Sequence, residues 1–339
     1  MLLRPIAWIF LLVPLAWLLL RGRSGDYRKR KFYRHLYTAS TFELIIFGWR
    51  LLGKYGAYII TRLLGFGYAI THPSTIKAIR SNLALLDPGK AGFFDACRLI
   101  FNQAECFSVY GQLASADTGH AMELVGEKTG FEHLLSVQGK GQGSLLVTGH
   151  LGFFELGGLV MSELGFPVTA LTLPEPSTEL TEWRANFRAR WGVKTIVIGN
   201  DTFSVVNIVR ALSEGAFIAT LIDRPYDGSG IEVTLPHGTI LFSSAPVVIS
   251  LLAKCPIIPV GVLRDASGKF AIHALPPIEP RWLDAGRQET IEHYTREIAS
   301  SLIPLFQKAP EQWYHFSPLR VEEAHGADAG ASPHKFSQP

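Results

Sequence analysis

The sequence is poor in cysteine, and the few cysteines it has are scattered. Cys97, Cys106 and Cys255 show no CxxC spacing, so they indicate neither a disulfide framework nor a zinc site. A reducing compartment fits this pattern best, and we expect the three thiols to act there as small, buried, apolar side chains.

Motifs for phosphate binding and for a serine nucleophile are also missing. Residues 139–143 are rich in glycine, but they precede an apolar run instead of following one. They match neither GxGxxG nor the P-loop pattern, so this segment reads as a turn. No GxSxG elbow occurs anywhere in the chain, and the sequence therefore offers no serine nucleophile of the α/β-hydrolase type.

Charge is sparse and unevenly distributed. Charged residues make up 18% of the 339 positions, the formal net charge is +3, and the mean hydropathy is +0.19. A basic cluster nevertheless follows the apolar N-terminus; it consists of Arg21, Arg23, Arg28, Lys29, Arg30, Lys31 and Arg34. We interpret this cluster as a contact with an anionic lipid surface and not with nucleic acid, because the rest of the chain is not strongly basic.

The N-terminus itself resembles a membrane segment. Residues 2–20 are apolar apart from Arg4, and at about 1.5 Å per residue they are just long enough to cross a bilayer core. A cleaved signal peptide is the alternative, but the residues after Leu20 lack the small-residue cleavage pattern. We therefore predict a transmembrane anchor at residues 1–22, with the catalytic part facing the cytoplasm.

A second apolar stretch covers residues 41–70. Glu43, Arg50 and Lys54 are spaced so that they share one helical face. The pattern fits a helix lying in the membrane interface, a tilted span with its charges against protein, or a helix buried in the domain core. The domain prediction treats residues 23–72 as a basic linker and an interfacial amphipathic helix.

The remaining chain alternates between helical and strand-like segments. Strands are predicted at 144–149, 168–173, 195–198, 216–222, 231–235 and 256–263, and helices at 93–113, 123–135, 178–191, 204–213, 245–253 and 288–306. This alternation predicts an α/β fold with a mainly parallel central sheet flanked by helices, in a domain of residues 73–320. Residues 321–339 lack periodicity and are predicted to be a disordered tail.

One segment carries recognisable chemistry. An apolar run ends at His150, and Glu155 follows at the start of the next helical segment, which is where α/β sheets keep their sites. A histidine can take a proton from a hydroxyl and return it, and a carboxylate can hold its ring in one tautomer. We therefore predict that His150 is a general base oriented by Glu155, with the substrate's own hydroxyl as the nucleophile.

Five stretches in order resemble the bacterial lipid A late acyltransferases, within the lysophospholipid and glycerolipid acyltransferases. They are residues 140–155 with the H-x4-E signature, 188–192, 222–228, 245–259 and 309–315. The resemblance covers about residues 74–319. It implies transfer of a fatty acyl chain from acyl carrier protein or acyl-CoA to a hydroxyl of a lipid acceptor at the cell inner membrane, with no metal and no cofactor. Backbone amides near Gly149 or at the start of the following helix are then expected to stabilise the oxyanion of this acyl transfer.

The resemblance also implies roles for four residues outside the H-x4-E signature. Arg188 and Arg190 are expected to bind phosphate of the acceptor or donor, although a solvated helix end is the alternative. Asp223 is expected near the site at a strand end, or else as a turn cap with Gly228. Arg224 is interpreted as its ion partner or as a further phosphate ligand.

The sequence leaves more than one acceptor lipid and more than one type of reaction open. Many relatives carry an arginine after the second strand where this chain has Leu171-Thr-Leu-Pro174, so a glycolipid, an aminolipid or a glycerophospholipid competes with a lipid A precursor. An acyl-thioesterase or lipid hydrolase would use water as the acceptor. A non-catalytic membrane protein would use the same fold to hold a lipid.

Overall fold

The computed structural model describes residues 38–117, 119–199, 203–225 and 230–319. The predicted anchor at 1–22, the basic cluster and the predicted tail at 321–339 lie outside the described residues. Among the residues that are described, no helix combines the length and the apolar character needed to cross a membrane.

The predicted α/β class is confirmed, with a seven-stranded sheet in the order β1-β9-β8-β2-β5-β3-β4. Every neighbouring pair in it is parallel except β8 and β9. Its strands are β1 (Val125–Thr129), β2 (Ser144–Thr148), β3 (Val168–Thr172), β4 (Lys194–Val197), β5 (Phe217–Leu221), β8 (Ile257–Arg264) and β9 (Phe270–Ala274). β6 (Ile231–Leu235) and β7 (Gly238–Phe242) form a separate antiparallel hairpin.

Helices cover both faces of this sheet, as the alternating sequence pattern requires. In the described residues they are α1 (Ala39–Thr71), α2 (Pro73–Leu86), α3 (Phe93–Ser115), α4 (Phe131–Gly139), α5 (Phe154–Glu163), α6 (Thr178–Arg190), α7 (Phe203–Ser213), α8 (Ala245–Ala253) and α9 (Arg287–Lys308). The central strand β2 is fully buried and supplies both apolar clusters. Leu146 packs into one of them, and Leu145 and Val147 pack into the other.

The predicted helix at 123–135 is wrong in its first half. Residues 125–129 form the edge strand β1, which pairs in parallel with β9, and α4 begins only at Phe131. Gly130 separates the two elements at φ 73°, a conformation that favours glycine. Most of β1 is exposed, so its sequence does not alternate between apolar and polar residues as a half-buried strand would. The segment is a strand because it pairs with β9, which is distant in sequence.

Helix α1 is neither fully buried nor fully exposed. One face packs on α3, where Gly111 lies against Ile45 and Trp49, and Gly65 lies against Phe101. The other face exposes large apolar side chains; they are Leu44, Phe47, Leu51, Tyr55, Tyr58, Ile59, Leu63, Phe66 and Ile70. Gly53 interrupts the helix with φ 65° and ψ −168°, a backbone conformation almost confined to glycine. These exposed side chains exclude one interpretation of residues 41–70, that of a helix buried wholly in the domain core.

Two smaller predictions agree with the structure. The three cysteines are free and buried. Residues 139–143 end α4 and turn into β2, as expected for the glycine-rich segment.

Candidate active site

The candidate site forms at the carboxyl edge of two adjacent parallel strands. β2 and β5 pair so that Thr148 lies opposite Leu221, and His150 and Asp223 each follow two residues later. The Nδ1 atom of His150 is 2.8 Å from Oδ1 of Asp223, and the His150 backbone N–H donates to Oδ2 at 2.8 Å. The sheet register therefore makes Asp223 the carboxylate that orients His150.

Close approach of these two residues requires Gly149. A Cβ at this position would lie 2.7 Å from Oδ2 of Asp223 and 2.8 Å from Cζ of Phe306, closer than real contacts allow. A side chain at residue 149 would push Asp223 away from the His150 ring. The glycine in the sequence Thr-Gly-His thus has a specific steric role.

A C-terminal segment completes the surroundings of Asp223. Tyr314 N–H donates to the His150 carbonyl at 2.7 Å, which fixes this segment beside the end of β2. From it, Trp313 Nε1 and His315 Nε2 each donate to Oδ2 of Asp223 at 2.8 Å. Burial alone would favour the neutral acid, but His150 and His315 outweigh it and hold the pKa of Asp223 well below its usual range.

The expectation that Glu155 orients His150 is wrong in its geometry. The Glu155 carboxylate accepts hydrogen bonds from Tyr110, from Nε of Arg188, and from Nη2 of Arg184 at 2.6 Å. Burial opposes ionisation, but the two arginines and Tyr110 lower the pKa of Glu155 to about 2. Glu155 lies close to His150 in sequence but belongs to a separate, buried ionic cluster.

The two predicted phosphate-binding arginines of α6 have different surroundings. Arg188 is buried and pairs with Glu155 inside the cavity described below. Arg190 is exposed and donates to the carbonyls of Ala114 at 2.9 Å and Ala116 at 3.1 Å, where it closes the end of α3. Arg190 thus has a structural contact with the end of α3, and its role in substrate binding stays a prediction.

Arg224 lies at the edge of the site next to Asp223. It is exposed and lines the cavity, and its Nη2 lies 3.4 Å from Nδ1 of His315. The proposed partnership with Asp223 is therefore replaced by a contact with His315. Gly228, the alternative turn partner of Asp223, lies outside the described residues.

The backbone amides after β2 differ from the expected oxyanion donors. The His150 amide donates to Asp223, the Leu151 amide to the Gly149 carbonyl at 2.7 Å, and the Gly152 amide to the Gln312 carbonyl at 2.7 Å. These three groups are engaged within the protein. The Leu156 amide in the first turn of α5 donates to the Phe153 carbonyl at 3.0 Å. The expected oxyanion donors are thereby narrowed to the first two amides of α5, those of Phe154 and Glu155, which have no acceptor one helical turn before them within the helix.

A cavity of about 820 Å³ adjoins His150, which is within the roughly 300–1,000 Å³ typical of ligand sites. Its polar part includes His150, Glu155, Arg184, Arg188 and Arg224. Its apolar part reaches side chains that are almost fully buried; among them are Leu134, Leu146, Phe153, Met161 and Ile272. The cavity can therefore hold a molecule with one polar and one long apolar part.

Sequence reasoning missed four residues of this site. Arg184 is one helical turn before Arg188, and that spacing of four could have indicated that both guanidinium groups share a face of α6. Trp313 and His315 fall in the stretch 309–315 that carried part of the resemblance, but their contacts depend on tertiary structure. Tyr110 gave no signal in the sequence.

Three side chains at the site could in principle hold a metal ion. One ligand atom from each of His150, Asp223 and His315 lies within 4.8 Å of the others. The ionised carboxylate can only accept hydrogen bonds, so the two ring nitrogens that face it carry hydrogens. A metal would need lone pairs on those same nitrogens, and this arrangement of hydrogen bonds does not favour it.

Comparison with known proteins agrees with the geometry. The family model for bacterial lipid A biosynthesis acyltransferases matches residues 28–319, which includes every described side chain of the site. No curated protein matches the chain. The chain belongs to the bacterial lipid A biosynthesis acyltransferase family and is an acyltransferase.

Proposed function

We propose that this acyltransferase moves a fatty acyl chain from a thioester to a hydroxyl of a lipid acceptor, with His150 as general base and Asp223 as its orienting carboxylate. The main observation behind the proposal is the hydrogen bond that Nδ1 of His150 makes with the Asp223 carboxylate. It fixes the tautomer whose Nε2 carries a lone pair, in a residue that lines the cavity.

The proposed reaction needs no acyl-enzyme. Nε2 of His150 takes the proton of the acceptor hydroxyl as its oxygen attacks the thioester carbonyl carbon. The resulting tetrahedral intermediate expels the thiolate as the C–S bond breaks, and the His150 imidazolium returns the proton to that sulfur. Asp223 stabilises the imidazolium between the two steps, as the acid does in a Ser-His-Asp triad.

The ionic cluster around Glu155 has a different proposed role. A buried carboxylate that accepts from both Arg184 and Arg188 fixes two guanidinium groups on the cavity wall. Fixed guanidinium groups bind phosphate in defined geometry and stabilise developing negative charge. Glu155 is thus proposed to act through these arginines, and Arg224 is proposed as a further phosphate contact at the rim. First-turn amides of α5 are proposed to stabilise the oxyanion.

The chemistry of the cavity supports an amphiphilic acceptor and an acyl chain. Its buried apolar lining suits a fatty chain. Its three arginines, Arg184, Arg188 and Arg224, outnumber the carboxylates Glu155 and Glu175, and the remaining positive charge suits an anionic headgroup. Family membership favours a lipid A precursor as the acceptor. Acyl carrier protein or acyl-CoA is proposed as the donor, because either supplies the thioester that the mechanism requires.

The exposed apolar face of α1 supports association with a membrane. Its side chains lie along a single helix, and the basic cluster at residues 21–34 precedes that helix in the sequence. Apolar surface next to basic residues is typical of proteins that lie on anionic bilayers. We propose that α1 rests in the interface of the inner membrane, with the cavity open to the cytoplasmic leaflet.

An assay of acceptor-dependent thiol release tests the proposal. The full-length protein is given acyl-CoA or acyl-carrier-protein thioester with and without a lipid A precursor, and acylated lipid is measured by mass spectrometry. We expect thiol release that requires the acceptor and is lost in His150→Ala. Acceptor-independent release would instead indicate a thioesterase, and wild-type turnover in His150→Ala would exclude His150 as the base.

A further inference from the structure

A second histidine contacts the same carboxylate as His150. His315 is 1% exposed, and its Nε2 lies 2.8 Å from Oδ2 of Asp223. The Nδ1 atom of the His150 ring contacts the other carboxylate oxygen, Oδ1. The two imidazole rings meet edge to face with centroids 5.4 Å apart. The proposed base His150 therefore has a second imidazole ring beside it, on the same carboxylate.

Contacts at both nitrogens fix the state of the His315 ring. The Asp223 carboxylate can only accept a hydrogen bond, so Nε2 of His315 carries the hydrogen. On the other side, Nη2 of Arg224 lies 3.4 Å from Nδ1 and can only donate to it. Burial, more than the opposing attraction of Asp223, lowers the pKa of His315 to about 4. The ring is neutral at physiological pH, in the Nε2–H tautomer.

We infer that His315 is a positioning residue that limits how strongly Asp223 stabilises the protonated form of His150. This inference rests on the proposed role of His150 as the general base. Each donor to Asp223 withdraws charge from the carboxylate and so weakens its attraction for the imidazolium. A base that must return its proton to the leaving sulfur benefits from this limit, because catalysis is best when proton uptake and release are balanced.

The charged and titratable surroundings are compatible with this role. Asp223 and His315 face the His150 ring, and Asp223, His150 and Arg224 face the His315 ring. A second cation at His315 would repel the His150 imidazolium. The neutral ring supplies a hydrogen bond without adding that repulsion.

Two substitutions of His315 distinguish the effect of its hydrogen bond to Asp223 from the effect of its ring volume. His315→Gln keeps an amide donor for Asp223, whereas His315→Phe keeps a similar ring volume and removes the donor. His273→Phe is the matched control, because His273 is also buried but bonds to Thr129, away from Asp223. The readout is kcat/KM for acyl transfer by the full-length protein between pH 5 and 9.

We expect His315→Phe to move the acidic limb of the profile upward by about one pH unit. His315→Gln and His273→Phe should keep the wild-type position of that limb. An unshifted profile in His315→Phe would overturn the inference. So would an equal shift in His315→Gln, because the ring and not the donor would then be responsible.

Nitrogen-15 NMR of histidine-labelled protein gives a readout that is independent of activity. We expect a neutral Nε2–H signal from His315 throughout pH 5–8, assigned by its loss in His315→Gln. A protonated or Nδ1–H ring in that range would overturn the inference even if acyl transfer is the reaction. If the NMR result holds but no acceptor-dependent thiol release is found, the proposed function fails and the placement of His315 does not.

Discussion

Nδ1 of His150 lies 2.8 Å from Oδ1 of Asp223, although 73 residues separate them in sequence. The parallel pairing of β2 and β5 brings them together, because each residue follows its strand by the same number of positions. Glu155, only five residues from His150, is held by Arg184, Arg188 and Tyr110. The carboxylate that contacts the His150 ring and the carboxylate that pairs with the two arginines are thus two different residues.

The Glu155 cluster predicts a stability difference that depends on pH. Burial disfavours the ionised form, but Arg184, Arg188 and Tyr110 lower the pKa of Glu155 to about 2 from its ordinary value of 4.5. Ionised Glu155 therefore stabilises the fold above about pH 4.5, and this contribution is lost as the pH falls toward 2. Glu155→Gln should lower the free energy of unfolding by about 3 kcal/mol at pH 7, and denaturant titrations should show the difference shrinking below pH 5.

Glu214→Gln is the control for this prediction. Glu214 pairs with Arg210 on the surface, where both side chains are mostly exposed, and its loss should change the free energy of unfolding by less than about 1 kcal/mol. A pH-independent difference between wild type and Glu155→Gln would contradict the prediction.

The two α6 arginines predict a sharp functional contrast. Arg188→Lys keeps the positive charge but cannot reproduce the guanidinium contact with Glu155 inside the cavity, so kcat/KM should fall by roughly tenfold or more. Arg190→Lys changes an exposed residue that donates to two carbonyls at the end of α3, and it should stay within about threefold of wild type. Equal losses in the two variants would show that Arg188 has no special role.

The buried part of the cavity predicts control of acyl length. Leu134 lines the cavity and is 1% exposed, whereas its neighbour Leu135 is 57% exposed. Leu134→Phe should fill part of the cavity and shift kcat/KM toward shorter acyl donors, by roughly tenfold for a length difference of a few methylenes. Leu135→Phe should leave the ratio unchanged. An unchanged chain-length ratio in Leu134→Phe would argue against acyl binding beside this residue.

The exposed face of α1 predicts where the protein meets lipid. Phe47 and Phe66 lie on this face, and Trp282 is exposed to the same degree elsewhere, each at 57%. An environment-sensitive fluorophore on a cysteine at position 47 or 66 should shift to the blue when anionic vesicles are added, because the probe enters an apolar medium. The same probe at position 282 should not shift, and an equal shift at all three positions would count against docking through α1.

Most of the fold and about half of the site could be predicted from the sequence. Strands β2, β3 and β5 are short apolar runs bounded by turns; β2 is fully buried, and β3 and β5 are buried at their first two residues. Their local pattern is therefore sufficient to find them. β1 was missed because it is exposed and is defined by pairing with β9. Hairpin strand β7 and strand β9, which lies between β1 and β8 in the sheet, were also not predicted, since neither is marked by a neighbouring helix–strand alternation.

The errors at the site share one cause. The five-residue spacing of His150 and Glu155 suggested a pair, but contacts at the end of a parallel sheet depend on which strands are neighbours. Asp223 was expected near the site, and only the register of β2 and β5 identifies it as the partner of His150. Likewise, Arg188 and Arg190 are two positions apart and so lie on different faces of α6.

The most direct test of this account is the turnover number of Asp223→Asn in acceptor-dependent acyl transfer. An asparagine keeps the size of the side chain but removes the charge that holds the Nδ1–H tautomer of His150 and stabilises its imidazolium. By analogy with the loss in a Ser-His-Asp triad, we expect a fall of about 10³- to 10⁴-fold in a variant that still folds. Turnover close to wild type in the folded variant would contradict it.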